Sequence, residues 1–373
     1  MQVARLRHNA DGAQVLMKAT LTEISMIVSK IMNIRRLSCL VFLIFMLIST
    51  LQSFNCTSST SDNFTKAITD SNKPTDNASI YSKPAKYDYS TSIICGGLER
   101  TYSVHISSSY NKTRPTPLVI ALHGGGGTGQ GMPKLTGFNA VADKENFVIV
   151  YPDGIEKRWN DGRGIQQYRT QIQNIDDVGF ISALINQLSN ELNIDAKKIY
   201  ATGISNGGMM SHRLGCELSQ RIAAISPVAS NLPVNMASVR VPSRPVPVLI
   251  INGTDDPLVP WDGGDIHFGQ TTLGEVLSVT DTVKFWATRD QCFSLSIITR
   301  LPDKDPSDGT KVRKEIYGGC KDGVAVILYA IDGGGHTWPG GLQYLPESII
   351  GRTSREFNAS EVIWQFFKEH PME

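Results

Sequence analysis

The feature that most constrains the fold is the alternation of short apolar strands with amphipathic helices after residue 93. Runs rich in β-branched residues have the length of buried strands, and longer segments have helical periodicity. The candidate strands are Arg100–Ile106, Leu118–Leu122, Phe147–Tyr151, Lys198–Thr202, Ala223–Val228, Val248–Asn252 and Val324–Ile331. The candidate helices are Asp177–Leu192, Gly207–Leu218, Thr280–Thr288 and Ser360–Glu369. This alternation predicts an α/β domain over residues 93–373, with a mostly parallel central sheet covered by helices on both faces.

Charge and composition restrict the class of protein. The 373 residues carry 36 Lys and Arg against 35 Asp and Glu, a formal net charge of +1. This balance gives no electrostatic footprint for nucleic acid, and we expect no stable membrane partner. The sequence contains no internal repeat and no metal-type motif such as CxxC or HExxH, so we expect no metal or organic cofactor.

The segment before residue 54 predicts export from the cell. Arg35 and Arg36 precede the apolar run Leu37–Leu51. A positive region followed by an apolar run is typical of a secretory signal, here residues 32–53. The run is short for a membrane span of about 20 residues. We therefore favour cleavage near Ser53 over an uncleaved anchor, and expect a secreted, extracellular protein.

Two further segments complete the predicted domain organisation. Residues 1–31 are charged and lack an apolar block, so they form either a long extension of the signal or a misassigned start, with Met32 as the first residue. Residues 54–92 are rich in Ser, Thr, Asn and Asp and poor in large apolar side chains. Such a composition cannot bury enough surface to fold, and it predicts a flexible linker.

The pentapeptide Gly203–Gly207 follows a predicted strand and precedes a predicted helix. The pattern GxSxG is weak alone, but in this strand–turn–helix context it is typical of a nucleophile elbow. Ser205 would project its hydroxyl above the sheet, and the two glycines would leave room for the tight turn. The start of the following helix favours developing negative charge. Ser205 is therefore the candidate nucleophile.

A glycine-rich loop, His123–Gly127, follows the strand Leu118–Leu122. Acyl transfer develops charge on a carbonyl oxygen, which needs preplaced N–H donors. We expect the backbone N–H groups of Gly125 and Asn206 to form this oxyanion hole. The alternative is a phosphate-binding loop, but Thr128-Gly129-Gln130 lacks the required Gly-Lys-Ser/Thr ending.

An acid and a histidine follow later strands in the order that a triad on such a sheet requires. Asp256 comes after the strand Val248–Asn252, and His336 follows the strand Val324–Ile331. His336 would take the serine proton, and the carboxylate would orient the imidazole. Asp255 stands beside Asp256 and is the alternative acid.

The chain resembles the polyhydroxybutyrate depolymerase and feruloyl esterase family of secreted α/β-hydrolases. The resemblance covers about residues 94–370. The matching segments are LHGGGG (122–127), YPDG (151–154), DDVGF (176–180), GISNGGMM (203–210), NGTDDPLVP (252–260) and GGGHTWPGG (333–341). It implies an α/β-hydrolase fold and an esterase with Ser205, Asp256 and His336 as its triad. One departure is Asn252, where the family usually has His; we expect its glycosylation sequon to be unused.

The sequence limits the identity of the substrate less than it limits the type of reaction. The resemblance implies an ester of the plant cell wall, such as a feruloyl or acetyl polysaccharide, with a polyhydroxyalkanoate as the alternative. A non-catalytic carbohydrate-binding protein on the same fold is a third interpretation. Trp261 and Trp338 lie near the presumed acid and base in sequence. We expect them to flank the substrate with flat apolar faces, although ordinary packing is an alternative.

Cysteine usage agrees with an oxidising compartment. Cys292 and Cys320 flank a polar segment that looks like a hairpin, and the family resemblance also suggests that they form a disulfide. Cys216 lies within the helix after the elbow, where we expect a buried free thiol. The pairing of Cys56 and Cys95 is left open.

Overall fold

The computed structural model describes residues 56–57, 88–293 and 296–373. The signal peptide predicted over residues 32–53 lies outside the described residues, as does most of the predicted linker. The folded chain includes a strand from Tyr89, upstream of the domain start predicted at residue 93. Within the described residues, no helix combines the length and hydropathy that a bilayer span requires.

All the predicted strands are present, with ends shifted by a few residues, and further strands occur that the sequence pattern missed. The strands are β1 (Cys56–Thr57), β2 (Tyr89–Cys95), β3 (Leu98–Ile106), β4 (Thr116–Leu122), β5 (Val148–Pro152), β6 (Ile194–Ile204), β7 (Ala224–Val228), β8 (Val248–Gly253), β9 (Gly264–Phe268), β10 (Thr271–Val276), β11 (Ile297–Arg300), β12 (Lys311–Tyr317) and β13 (Val326–Asp332).

The strands form one large sheet and a separate hairpin. The sheet has the order β1-β2-β3-β5-β4-β6-β7-β8-β13-β12-β11, and β9 pairs with β10 in the hairpin. The central strands from β5 to β13 pair in parallel. Antiparallel strands extend the sheet at both edges. The predicted mostly parallel central sheet is therefore confirmed.

Helices cover both faces of this sheet. The helices are α1 (Met132–Thr136), α2 (Phe138–Glu145), α3 (Arg169–Ile172), α4 (Asp177–Glu191), α5 (Asn206–Glu217), α6 (Val234–Ala237), α7 (Val279–Arg289), α8 (Glu347–Ile350) and α9 (Ala359–Glu369). Leu118 and Ile120 of β4 lie in one apolar cluster with α4, whereas Val119 lies in a second cluster with α2 and α9. Successive side chains of a strand point to opposite faces, so one apolar strand supports both layers.

The parallel register brings four loops to one edge of the sheet. The segments after β4, β6, β8 and β13 all leave the carboxyl ends of the central parallel strands. In open α/β sheets, ligands bind at this edge. The glycine loop, Ser205, Asp256 and His336 each follow one of these strands, so the fold places them at the same edge.

Candidate active site

Ser205 lies at the sharp turn between β6 and α5. Its backbone has a φ of 58° and a ψ of −123°, a conformation that side-chain-bearing residues rarely adopt. The neighbouring glycines make this turn possible. A Cβ at Gly203 would lie 2.6 Å from the carbonyl carbon of Gly207, and a Cβ at Gly207 would lie 2.3 Å from the carbonyl oxygen of Leu122. The turn thus needs both glycines and holds the serine partly exposed.

His336 and Asp256 form a buried pair. The Nδ1 atom of His336 lies 2.7 Å from Oδ2 of Asp256, and each side chain is 3% exposed. The other carboxylate oxygen of Asp256 accepts hydrogen bonds from the backbone N–H groups of Leu258 and Val259, both at 2.8 Å. These contacts hold the carboxylate in one orientation, with one oxygen facing Nδ1 of the imidazole. The Nε2 atom is then the one that can exchange a proton with a hydroxyl.

The adjacent residues Asp255 and Asp256 lie in different environments. Asp255 is exposed, and its Oδ1 accepts a hydrogen bond from the Thr254 hydroxyl at 2.8 Å. Asp256 alone of the two contacts His336. The geometry therefore favours Asp256 as the acid of the site.

The glycine loop presents backbone donors beside Ser205. The N–H groups of Gly126 and Gly127 donate to the carbonyls of Lys157 and Gly124. In contrast, the Gly125 N–H has no acceptor among the residues that the structure describes. Asn206 is the first residue of α5, so its backbone N–H lacks an intrahelical acceptor. The two N–H groups predicted for an oxyanion hole are thus left without acceptors.

His123 holds the glycine loop rather than a substrate. Its Nε2 accepts from the Gly154 N–H at 3.0 Å, and its Nδ1 lies 2.8 Å from the Gly124 carbonyl oxygen. Burial lowers the pKa of His123, so the ring stays neutral. A neutral ring with a proton on Nδ1 satisfies both contacts.

A buried polar cluster supports the residue after Ser205. Its central member, Asp161, belongs to none of the motifs that predicted the site. The Asn206 side chain accepts from the Trp159 N–H at 2.8 Å and donates to Oδ2 of Asp161 at 2.5 Å. Arg163 pairs with the same carboxylate oxygen at 2.7 Å. Asp161 is fully buried. Its only sequence signal was a polar stretch after β5, which was not sufficient to identify it.

A cavity of about 510 Å³ opens at this edge of the sheet, and Ser205 and His336 both line it. The glycine loop and apolar side chains from α1, from the β9–β10 hairpin and from the segment 342–350 form much of its remaining wall. Cavities of this size with a few polar groups are typical of small-molecule sites. The arrangement can therefore accept a ligand against the serine.

The two tryptophans predicted to flank the substrate do not line the cavity. Trp338 is completely buried, and its Nε1 donates to the Ser360 hydroxyl at 3.1 Å. It packs in the core beside Phe138, with ring centroids 6.2 Å apart, so its predicted role as a substrate wall is wrong. Trp261 packs against the core on the other face, with the Arg313 guanidinium 5.5 Å from its ring centroid. Neither tryptophan lines the cavity, because both face the protein interior or a neighbouring side chain.

Other polar candidates have structural partners. Asp176 caps α4 by accepting from the Gly179 N–H. Asp177 pairs with Arg100 at 2.6 Å, and burial raises the pKa of the carboxyl. The Asn252 amide is buried and bonded to Asn231, which agrees with an unused sequon. Among the described side chains, no group of three His, Cys, Asp or Glu could hold a metal ion.

His105, His212 and the described cysteines Cys216, Cys292 and Cys320 are not among the residues that line the cavity, whereas His267 of the hairpin is. His212 is buried in α5 and accepts from Nε1 of Trp286, whereas His105 pairs with Asp88. The predicted disulfide between Cys292 and Cys320 is present. Cys216 is a buried free thiol, as expected, and Cys95 is disulfide-bonded.

Comparison with known proteins agrees with this geometry. The phospholipase/carboxylesterase family model matches residues 105–272. NocK of Nocardia uniformis subsp. tsuyamanensis, a protein classed as an esterase, is 30% identical over 281 residues, which cover 74% of this chain and 80% of NocK.

Two fungal relatives match a shorter part of their own length. Feruloyl esterase B of Piromyces equi is 29% identical over 244 residues, covering 64% of this chain and 42% of that protein. The bifunctional acetylxylan esterase/xylanase XynS20E of Neocallimastix patriciarum is 26% identical over 235 residues, covering 63% of this chain and 31% of that protein. The chain thus spans less than half of either fungal protein.

Proposed function

Because the chain belongs to the α/β-hydrolase family of carboxylesterases that includes the feruloyl esterases, and is a carboxylic ester hydrolase, we propose that Ser205, Asp256 and His336 are its catalytic triad. The observation that carries the proposal is the buried His336–Asp256 pair, 2.7 Å apart, whose histidine lines the same cavity as the strained Ser205.

The reaction proceeds in two acyl-transfer steps. Nε2 of His336 takes the proton of the Ser205 hydroxyl as its oxygen attacks the ester carbonyl carbon. The proton then passes to the leaving alcohol, which departs and leaves an acyl-enzyme. Water repeats the sequence and releases the acid. Asp256 keeps the Nδ1 proton on its own side of the ring and stabilises the imidazolium that forms in each step.

The N–H groups of Gly125 and Asn206 stabilise the oxyanion. Both are without protein acceptors among the described residues, so they can donate to a developing negative charge at no cost in lost hydrogen bonds. The Asn206 side chain, held by Trp159 and Asp161, keeps its own backbone N–H in place. Asp161 therefore acts as a positioning residue for the oxyanion hole.

We infer that the substrate is a plant cell-wall ester and that the enzyme acts outside the cell. The fungal relatives are named for feruloyl and acetylxylan esters, and the cavity has room for a hydroxycinnamoyl group. The signal predicted over residues 32–53 and the Cys292–Cys320 disulfide both suit secretion.

A polyhydroxyalkanoate is the second candidate substrate. Exposed apolar side chains surround the cavity mouth, with Phe268 60%, Leu342 41% and Leu345 40% exposed. Such a rim would suit contact with a polyester chain, since exposed apolar patches mark interaction sites. A non-catalytic carbohydrate-binding protein is the third interpretation. The presence of Ser205 and of the His336–Asp256 pair at one cavity disfavours it.

A substrate panel with a serine variant tests these proposals. The purified protein should release ferulate from methyl ferulate or acetate from acetylated xylan faster than it clears polyhydroxybutyrate. Ser205→Ala should abolish turnover of p-nitrophenyl acetate while retaining the melting temperature of the parent. Clearing of polyhydroxybutyrate without release of ferulate would favour the second substrate. Full turnover by the Ser205 variant would refute the triad.

A further inference from the structure

The cavity wall carries positive charge that the esterase mechanism does not use. Lys134, Arg158 and Arg163 all line the cavity, and none of its described lining residues is Asp or Glu. Two of these cations are readily explained. Arg163 is paired with buried Asp161, and Lys134 is exposed at the surface. Arg158 is the remaining cation, and it has neither a carboxylate partner among the described residues nor a role in the esterase mechanism.

The Arg158 guanidinium is held in place but is not neutralised. It lies over the Tyr168 ring, 4.7 Å from the centroid, and its NH1 donates to the Lys157 carbonyl at 3.1 Å. No carboxylate pairs with it within the described residues, and the other guanidinium N–H groups have no acceptor there. The nearby acids are engaged elsewhere: Asp153 accepts from Gly129 and Thr101, and Glu156 pairs with Arg169.

This guanidinium lies close to the reacting centre. A Cβ at Gly125 would be 3.1 Å from NH1 of Arg158, and a Cβ at Gly124 would be 3.5 Å from Cβ of Ser205. Two consecutive glycines therefore connect the serine to the arginine, which places the charge on the order of 10 Å from the nucleophile. This is the reach of a short acyl chain or of one sugar ring.

We propose that Arg158 is a specificity residue that selects esters carrying a carboxylate near the scissile bond. The proposal rests on the esterase function and narrows its substrate class. A guanidinium presents paired N–H donors that match a carboxylate, and an aromatic ring beneath it keeps the fork oriented. The carboxylate can belong to the acyl part, as in a dicarboxylic acid monoester, or to the alcohol part, as in an ester of an acidic sugar.

The alternative is that Arg158 only supports the glycine loop. Its NH1 lies close to Gly125 and Gly126 but makes no hydrogen bond to them, and it donates to the Lys157 carbonyl, which also accepts from the Gly126 N–H. The direct hydrogen bonds that hold the loop are those of the Gly126 N–H to the Lys157 carbonyl and of the His123 ring to Gly124. A side chain that supports the loop would affect every substrate equally, whereas a specificity residue would affect only anionic ones.

The test compares charged and neutral esters of similar size. For the acyl side the pair is mono-p-nitrophenyl glutarate and p-nitrophenyl butyrate. For the alcohol side it is m-acetoxybenzoate and phenyl acetate. The parent enzyme should favour the anionic member of at least one pair. Arg158→Met should lower that preference in kcat/KM at least about tenfold, the lower end of the effect of one hydrogen bond to a charged group. Arg158→Lys should restore part of the preference.

Matched controls separate this effect from general electrostatics and from loss of esterase activity. Arg169→Met removes an equal charge from an exposed residue next to Tyr168 and should keep the preference. Added salt should weaken the preference of the parent enzyme. Equal losses on charged and neutral esters, or no preference in the parent, would overturn the proposal. The neutral esters report the esterase function independently, since Arg158→Met should still hydrolyse them.

Discussion

The adjacent residues Asp255 and Asp256 allow the proposed acid of the site to be tested with a matched pair of variants. Asp256→Asn keeps the shape of a side chain that is 3% exposed, and its Oδ1 can still accept from the N–H groups of Leu258 and Val259. Its amide NH₂ would then face Nδ1 of His336. A donor facing this nitrogen requires the imidazole proton to move to Nε2.

The magnitude follows from this change of tautomer. An imidazole with its proton on Nε2 cannot accept the Ser205 proton, and it also loses the carboxylate that stabilises its charged form. The equivalent substitution in a serine protease triad lowers kcat about 10⁴-fold. This corresponds to about 5.4 kcal/mol of transition-state stabilisation at 1.36 kcal/mol per tenfold change. Asp255→Asn changes an exposed carboxylate whose hydrogen bond comes from Thr254, and kcat should stay within about twofold of the parent.

Steady-state hydrolysis of p-nitrophenyl acetate, with thermal melting of both variants, measures the difference. Asp256→Asn should keep a cooperative melting transition, so its loss of rate cannot be ascribed to unfolding. Equal losses in the two variants, or a larger loss in Asp255→Asn, would refute the assignment of Asp256.

Two further predictions concern stability. Burial raises the pKa of Asp290 from 3.8 to about 7, and its Oδ2 is buried without a partner among the described residues. The folded state therefore holds this proton between about pH 4 and 7, where the unfolded state has released it, and the contribution to stability is lost as pH rises through 7. Asp290→Asn should then raise the free energy of unfolding at pH 8 but not at pH 4, as measured by urea titration, and an equal change at both values would contradict this. Trp338→Phe should lower the free energy of unfolding by about 1–3 kcal/mol through lost packing and the lost Ser360 hydrogen bond. The ratio of kcat/KM for methyl ferulate and p-nitrophenyl acetate should stay unchanged. A changed ratio would indicate that Trp338 does contact the substrate.

The sequence was sufficient for the central sheet because its strands are buried on both faces. Strands such as Leu118–Leu122 read as continuous apolar runs, and their bounds were predicted to within a few residues. The missed strands lie at or next to the edges of the large sheet, or in the hairpin. β12, Lys311–Tyr317, carries charged residues along a partly exposed strand, and every residue of β11 is exposed. Edge strands are commonly charged, so their apolar pattern is weak.

The sequence could predict the position of a site residue where local structure determines that position. It could not do so where the direction of a side chain in a loop determines it. Ser205, Asp256 and His336 each follow a buried strand, so their common edge could be inferred from topology. Trp338 comes two residues after His336 but lies in an irregular loop, where no periodicity indicates which side chain faces the core. The Asp161 contacts to Asn206 join residues 45 positions apart, and nothing local in the sequence predicts them.

The β9–β10 hairpin has a consequence for how such an enzyme can change its substrate range. It forms its own two-stranded sheet, outside the large one, yet Ile266, Phe268 and Leu273 line the cavity. The strands that present Ser205, Asp256 and His336 do not pair with it. Exchanges at the exposed Phe268, at the turn of the hairpin, can therefore reshape one wall of the cavity while the reacting groups keep their positions, whereas Ile266 and Val276 pack in one cluster with Val259 beside Asp256. The turn of the hairpin is in this sense an exchangeable part, and directed evolution of new ester preferences would begin there.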